Sequence, residues 1–172
     1  MDRELFETLL GRTPLMAGMD TGARGDLVDR FVAHPFTAGE PILRAGSSGR
    51  HLGVVVEGRA LVQARREARA FTVETLEAGA VFGEMAFFDG QLSRTADVIG
   101  ATQGVAALLP FAEYQLLARD AHPAAEVLEK AILDLLAHRI QTTDDQLAAL
   151  LSASRAGSFF PSLRRWFRSR RA

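Results

Sequence analysis

Glu84 and Arg94 stand ten residues apart in FGEMAFFDGQLSRTADV, the segment Phe82–Val98 that joins two apolar stretches. Gly83 permits close backbone approach. The following EMAFF is long enough for one helical turn, whose first N–H groups point outward beside a partial positive charge. Arg94 adds a full charge and a planar fork of donors suited to phosphate. Thr95 adds a hydroxyl. A carboxylate repels phosphate, so Glu84 suits sugar hydroxyls instead, as an acceptor. One phosphate and a ribose hydroxyl on the same ligand match the set. The same residues also allow a plainer arrangement, with Glu84 and Arg94 paired and merely closing a loop.

The elements that would position this segment follow from the apolar pattern. Leu5, Phe6, Leu9 and Leu10 recur at helical spacing, and a second helix is expected near residues 21–31. From Pro35 to Pro110 the pattern changes to short apolar runs cut by Gly, Pro and Ser. That indicates an antiparallel β jelly roll or barrel, with turns at Gly39-Glu40, Gly46–Gly49, Glu57-Gly58 and Ala78-Gly79. Helix returns at Phe111, and Pro123 is placed to open a long one. Residues 124–152 hold no Gly or Pro, and Leu133, Leu136, Ile140, Thr143, Leu147 and Leu150 follow gaps of 3, 4, 3, 4 and 3. This seam predicts either packing on the chain's own barrel or pairing with the same helix of a second copy. The expected class is α+β: a jelly-roll barrel over 32–110, N-terminal helices within 2–31, helices over 111–152, and a tail from 155.

Composition narrows the function classes. The 172 residues are 48% hydrophobic and 24% charged, with no cysteine, which excludes disulfides and thiolate sites. The N-terminus carries no apolar run suited to a signal peptide or a membrane span, and a cytoplasmic location is expected. Residues 155–172 contain six arginines and no acid, so the net −1 divides into +6 there and −7 before it. In SFFPSLRRWFRSRRA a helix opened at Pro161 would set Leu163, Trp166 and Phe167 against Arg164, Arg168 and Arg171. Such a face suits an anionic membrane surface, an acidic groove on a partner, or the acidic body itself. The histidines, His34, His51, His122 and His138, are dispersed, so no metal site is expected, and no nucleophile–base signature indicates an enzyme.

FGEMAFF followed by SRTADV resembles the phosphate-binding cassette of cyclic-nucleotide-binding domains, found in catabolite-activator regulators, cyclic-nucleotide-dependent kinases and gated channels. FTAGEPILRAGSSGRHLGVVVEGRALV is similar to that family's upstream signature, and RTPLMAGM to its lead-in helix and turn. The resemblance covers residues 12–152. It implies that Glu84 and the Gly83 backbone bind the ribose 2′-hydroxyl and that Arg94 binds the phosphate oxygens. Thr95 and the amides around Met85 and Ala86 would complete the cradle, with Phe82 beginning the cassette. It also implies an apolar base contact from Val73. Thr143, in HRIQTTDDQ, would reach the purine and leans the choice between cAMP and cGMP toward cAMP. Thr95 is compatible with either.

Departures from the pattern are Ser93 for a proline, Gly53 for an aromatic, and Asp97, which strand alternation from Arg94 assigns to the outer surface, away from the ligand. The residues after Ser152 are too few for the helix-turn-helix domain of catabolite-activator regulators. The expectation is therefore a stand-alone sensor, homodimeric through the 124–152 helix, with peripheral membrane contact or a protein partner through the tail and no specific DNA binding. Its rival is a pseudo-sensor, which keeps the fold as a ligand-independent protein-interaction or DNA-associated regulator.

Overall fold

The computed structural model describes residues 2–66, 69–90 and 93–168, with side chains described as far as Ser152, Arg66 excepted. Helix α1 (Arg3–Gly11) starts where the Asp2 carboxylate accepts from the Leu5 amide at 2.9 Å, and α2 (Thr21–Val28) starts likewise at Asp20, bonded to the Ala23 amide. Such caps satisfy amides that have no intrahelical partner. A short 3₁₀ turn, Pro14–Met16, lies between them. The strands are β1 (Val32–Phe36), β2 (Pro41–Leu43), β3 (His51–Glu57), β4 (Ala60–Arg66), β5 (Arg69–Leu76), β6 (Val81–Phe82), β7 (Asp97–Gly100) and β8 (Gly104–Pro110). Helix α3 (Glu84–Phe88) follows β6, and α4 (Phe111–Arg119) and α5 (Pro123–Arg168) follow β8.

Among the described residues the strands form two antiparallel four-stranded sheets, ordered β1-β8-β3-β6 and β2-β7-β4-β5. The α+β jelly-roll expectation holds, as an open pair of sheets and not a closed barrel. Phe36, Val55, Phe82 and Ala106 from one sheet pack with Ile42, Leu43, Ala60, Leu76 and Val98 from the other. Burying side chains of this kind contributes about 1.5–3 kcal/mol each for the larger ones. The expected turn glycines 39, 46, 58 and 79 all have positive φ. At Gly58 the demand is double: φ is +82°, and a Cβ would lie 2.5 Å from the Gln103 carbonyl oxygen.

Gly53 gains its reason here. It pairs directly with Phe82, and a Cβ at 53 would lie 2.2 Å from the Phe82 ring. The ring fills the space an aromatic at 53 would have used.

The chain divides into two compact units, Met1–Ile132 and Leu133–Ala172. The first includes the opening turns of α5, where Ala124, Ala125, Leu128 and Ile132 are buried. In the second, Leu133, Ile140, Leu147 and Leu150 of the expected seam are exposed, as is Leu151, and Leu136 is half-buried. The helix continues through Pro161 and past the 154/155 boundary expected from the sequence. The opposed aromatic and cationic faces expected for residues 158–172 lie outside the described side chains.

Candidate cyclic-nucleotide site

The cassette begins where β6 ends. Phe82 anchors it in the core, and Gly83 turns the chain with φ +81° into α3. A Cβ at Gly83 would lie 2.8 Å from the His51 carbonyl oxygen and 2.9 Å from Arg94 Nη1. Close approach is thus the reason for glycine, and the atom it admits is the Arg94 guanidinium. The first bond of the α3 ladder is from the Phe87 amide to the Gly83 carbonyl, at 3.1 Å. The amides of Met85 and Ala86 precede that ladder.

Arg94 is buried, 6% exposed, and Glu84 is 5% exposed. Arg94 Nη2 donates to the Gly49 carbonyl at 2.5 Å and to that of His51 at 3.4 Å. The Arg94 carbonyl in turn accepts from the Gly46 amide at 2.8 Å. The loop between β2 and β3 therefore grips Arg94 from both its main chain and its side chain. Arg94 Nε is buried with no hydrogen-bond partner. Burial pushes the guanidinium pKa down, because a charge removed from water is costly unless compensated. Burial, and secondarily the charge of Arg94, also lower the pKa of His51.

The other expected residues are placed as follows. Ala86 is buried, Met85 is exposed and Thr95 is exposed on the loop leading to β7. Val73 is 60% exposed. It is the extra residue where Glu74 pairs with Val62 and Thr72 with Gln63, so it sits in a β-bulge of β5. Thr143 belongs to the second compact unit. Its hydroxyl donates to the Arg139 carbonyl at 2.8 Å, a back-bond within the helix that satisfies a polar group on an apolar seam.

Asp97 departs from expectation. It is 7% exposed, not at the outer surface. Alternation does turn it away from Val98 and the core, but the chain after β2 folds over it. Its carboxylate accepts from the Ala45 amide at 2.7 Å and from Arg65 Nε at 3.1 Å. These bonds, the Ala45 amide foremost, hold its pKa below the usual aspartate range.

Arg50 carries no cue in its local sequence and proves central. Its Nε and Nη2 donate to the Phe87 carbonyl at 3.0 and 2.6 Å, and Nη2 also reaches the Phe88 carbonyl at 3.1 Å. A cation on the last carbonyls of α3 complements the helix end. The guanidinium carbon lies 3.2 Å from the centroid of the Phe111 ring. Phe87, Phe88, Phe111 and Tyr114 form a cluster with centroids 5.0–5.5 Å apart. The Tyr114 hydroxyl donates to Glu129 Oε1 at 2.6 Å. Burial, then that bond, push the phenol up to about 12.

Residues 33–120 match the sequence profile of the cyclic nucleotide-binding domain. The match takes in half of the chain, β1 through α4, and the chain belongs to that family. It is 26% identical over 132 residues to the cAMP-dependent protein kinase type II regulatory subunit of Drosophila melanogaster, covering 77% of this chain and 34% of that one. It spans about a third of the length of the curated relatives it matches. Among solved structures it superposes on the Thermus thermophilus catabolite activator protein with a TM-score of 0.70 at 24% identity, over 80% of this chain and 63% of that one. The regulatory domain of Toxoplasma gondii PKA, solved with cAMP, gives 0.65 at 26% identity, over 81% and 50%. Among the described residues no helix is long and apolar enough to cross a membrane.

Proposed function

We propose that this domain is a sensor of a cyclic mononucleotide, cAMP before cGMP, bound at the cassette. The observation that carries the reading is Arg94: a buried guanidinium beside Gly83 with an unpartnered Nε and a pKa lowered by burial. An exocyclic phosphate offers that Nε an acceptor and a counter-charge, joined by Thr95 and by the amides of Met85 and Ala86. Glu84 and the Gly83 backbone take the ribose 2′-hydroxyl, and Phe82 holds the cassette against the core. Val73 supplies apolar contact to the base. The preference for cAMP draws support from the cAMP-dependent kinase subunit among the relatives and from the cAMP-bound Toxoplasma domain. Output proceeds through the second half of α5, whose exposed leucines suit pairing of two copies.

Calorimetry on protein freed of nucleotide, against cAMP, cGMP and cyclic dinucleotides, tests the reading. Saturable binding of a cyclic mononucleotide, lost in Arg94→Ala, is the expected result. No heat with any of them overturns it and leaves a domain that keeps the fold without the ligand.

A further inference from the structure

Residues 49–51 face two ways. The carbonyls of Gly49 and His51 accept from Arg94 Nη2. Between them, the Arg50 side chain holds the Phe87 and Phe88 carbonyls at the end of α3 and lies on the Phe111 ring at the start of α4. The Arg50 carbonyl also accepts from the Phe111 amide at 2.9 Å. Gly90, just beyond α3, leaves room for the guanidinium: a Cβ there would lie 3.2 Å from Arg50 Nη1. Three consecutive residues thus tie the Arg94 side chain, the cassette helix and the first residue of α4 into one connected set. From α4 the chain of contacts continues through Tyr114 to Glu129 of α5.

We propose that Arg50 is the positioning residue that transmits the state of Arg94 to α4, a role that rests on the nucleotide-sensor reading for its stimulus. An anion that draws the Arg94 guanidinium toward itself loosens its hold on the Gly49 and His51 carbonyls. The strand start then shifts, and Arg50 carries the shift to α3 and α4 together, because one guanidinium holds both. Arginine is required by the geometry. Its planar fork binds the Phe87 carbonyl through two nitrogens while its face covers an aromatic ring, which a lysine ammonium does not reproduce.

The experiment is amide hydrogen exchange on the full chain, with R50M, R50K and G90V beside the unaltered protein, each with and without saturating cAMP. Without nucleotide, R50M and G90V are expected to exchange at least tenfold faster over 85–89 and 111–117, with R50K between them and the unaltered protein. With cAMP, the unaltered protein changes its exchange over 111–117. R50M, brought to the saturation that calorimetry defines for it, is expected to lose that response, a separation of occupancy from response that simple loss of packing does not produce. An unchanged response in R50M overturns the proposal, as does unchanged exchange in the nucleotide-free comparison. If calorimetry shows that the unaltered protein binds no cyclic nucleotide, the sensor reading fails and R94A supplies the stimulus instead. R94A then alters exchange over 111–117 in the unaltered background and not in the R50M background if Arg50 is the link; equal effects in both overturn it.

Discussion

In the proposed site Arg94 and Glu84 do different work for one ligand, and their variants should separate. Arg94→Ala removes the full charge facing the phosphate, a charge-assisted interaction worth about 1.5–3 kcal/mol, or roughly 10- to 100-fold in affinity. Glu84→Ala removes hydrogen bonds to a sugar hydroxyl and should cost less. Calorimetric titration of both with cAMP checks the order, and two variants that bind like the unaltered protein would move the ligand elsewhere. Tyr114 gives a pH signature. Its phenol titrates at about 12 in the fold against 10.0 when exposed. The protonated ring's stabilisation is complete below pH 10 and drains away as the pH rises toward 12. Thermal melts of Tyr114→Phe across that range should show a flatter loss of stability than the unaltered protein; parallel curves would count against it. At this scale the sequence, through charge type and spacing, singled out Glu84 and Arg94, which the fold buries beside Gly83. It was silent at Arg50, because the acceptors are main-chain carbonyls, which leave no mark in a sequence. It misjudged Asp97, because alternation assigns a side to a side chain but does not foresee a loop folding over it.

Among the elements, the strand regime was legible from turn glycines and short apolar runs, and the start of α5 from Pro123. What covers α5 was not, because a seam of leucines reads the same whether its own domain or another copy packs on it. Burial ends at Ile132, and the exposed run from Leu133 onward leaves the apolar face of the second half unburied within one chain. Pairing of two such helices is the expected outcome. Light scattering should find a dimer at tens of micromolar, and Leu136→Asp with Ile140→Asp should give monomers. A monomeric unaltered protein, with and without cAMP, would refute the pairing.

For the molecule as a whole, a ligand that binds only the folded state raises stability by mass action. At 100 times its dissociation constant the gain is about 2.7 kcal/mol, very roughly 5–10 °C in melting temperature for a chain of this size. Differential scanning fluorimetry with cAMP reads this directly, and no shift at saturation would count against the sensor. The family was legible because two spaced signatures occur in order; the join between Gly53 and Phe82 was not, because only packing shows that a ring from the neighbouring strand fills the vacancy. The unpartnered Nε of Arg94 has a further consequence. On the sensor reading, a desolvated charge is a liability to the nucleotide-free protein, tolerated for what it recognises. Arg94→Met keeps the bulk and discards the charge. It gives up the Nη2 bonds to Gly49 and His51 along with the desolvated charge, and the two changes oppose each other. The nucleotide-free variant should therefore melt within a few degrees of its parent while being deaf to nucleotide, and a screen for thermal robustness alone would pass the very change that abolishes sensing.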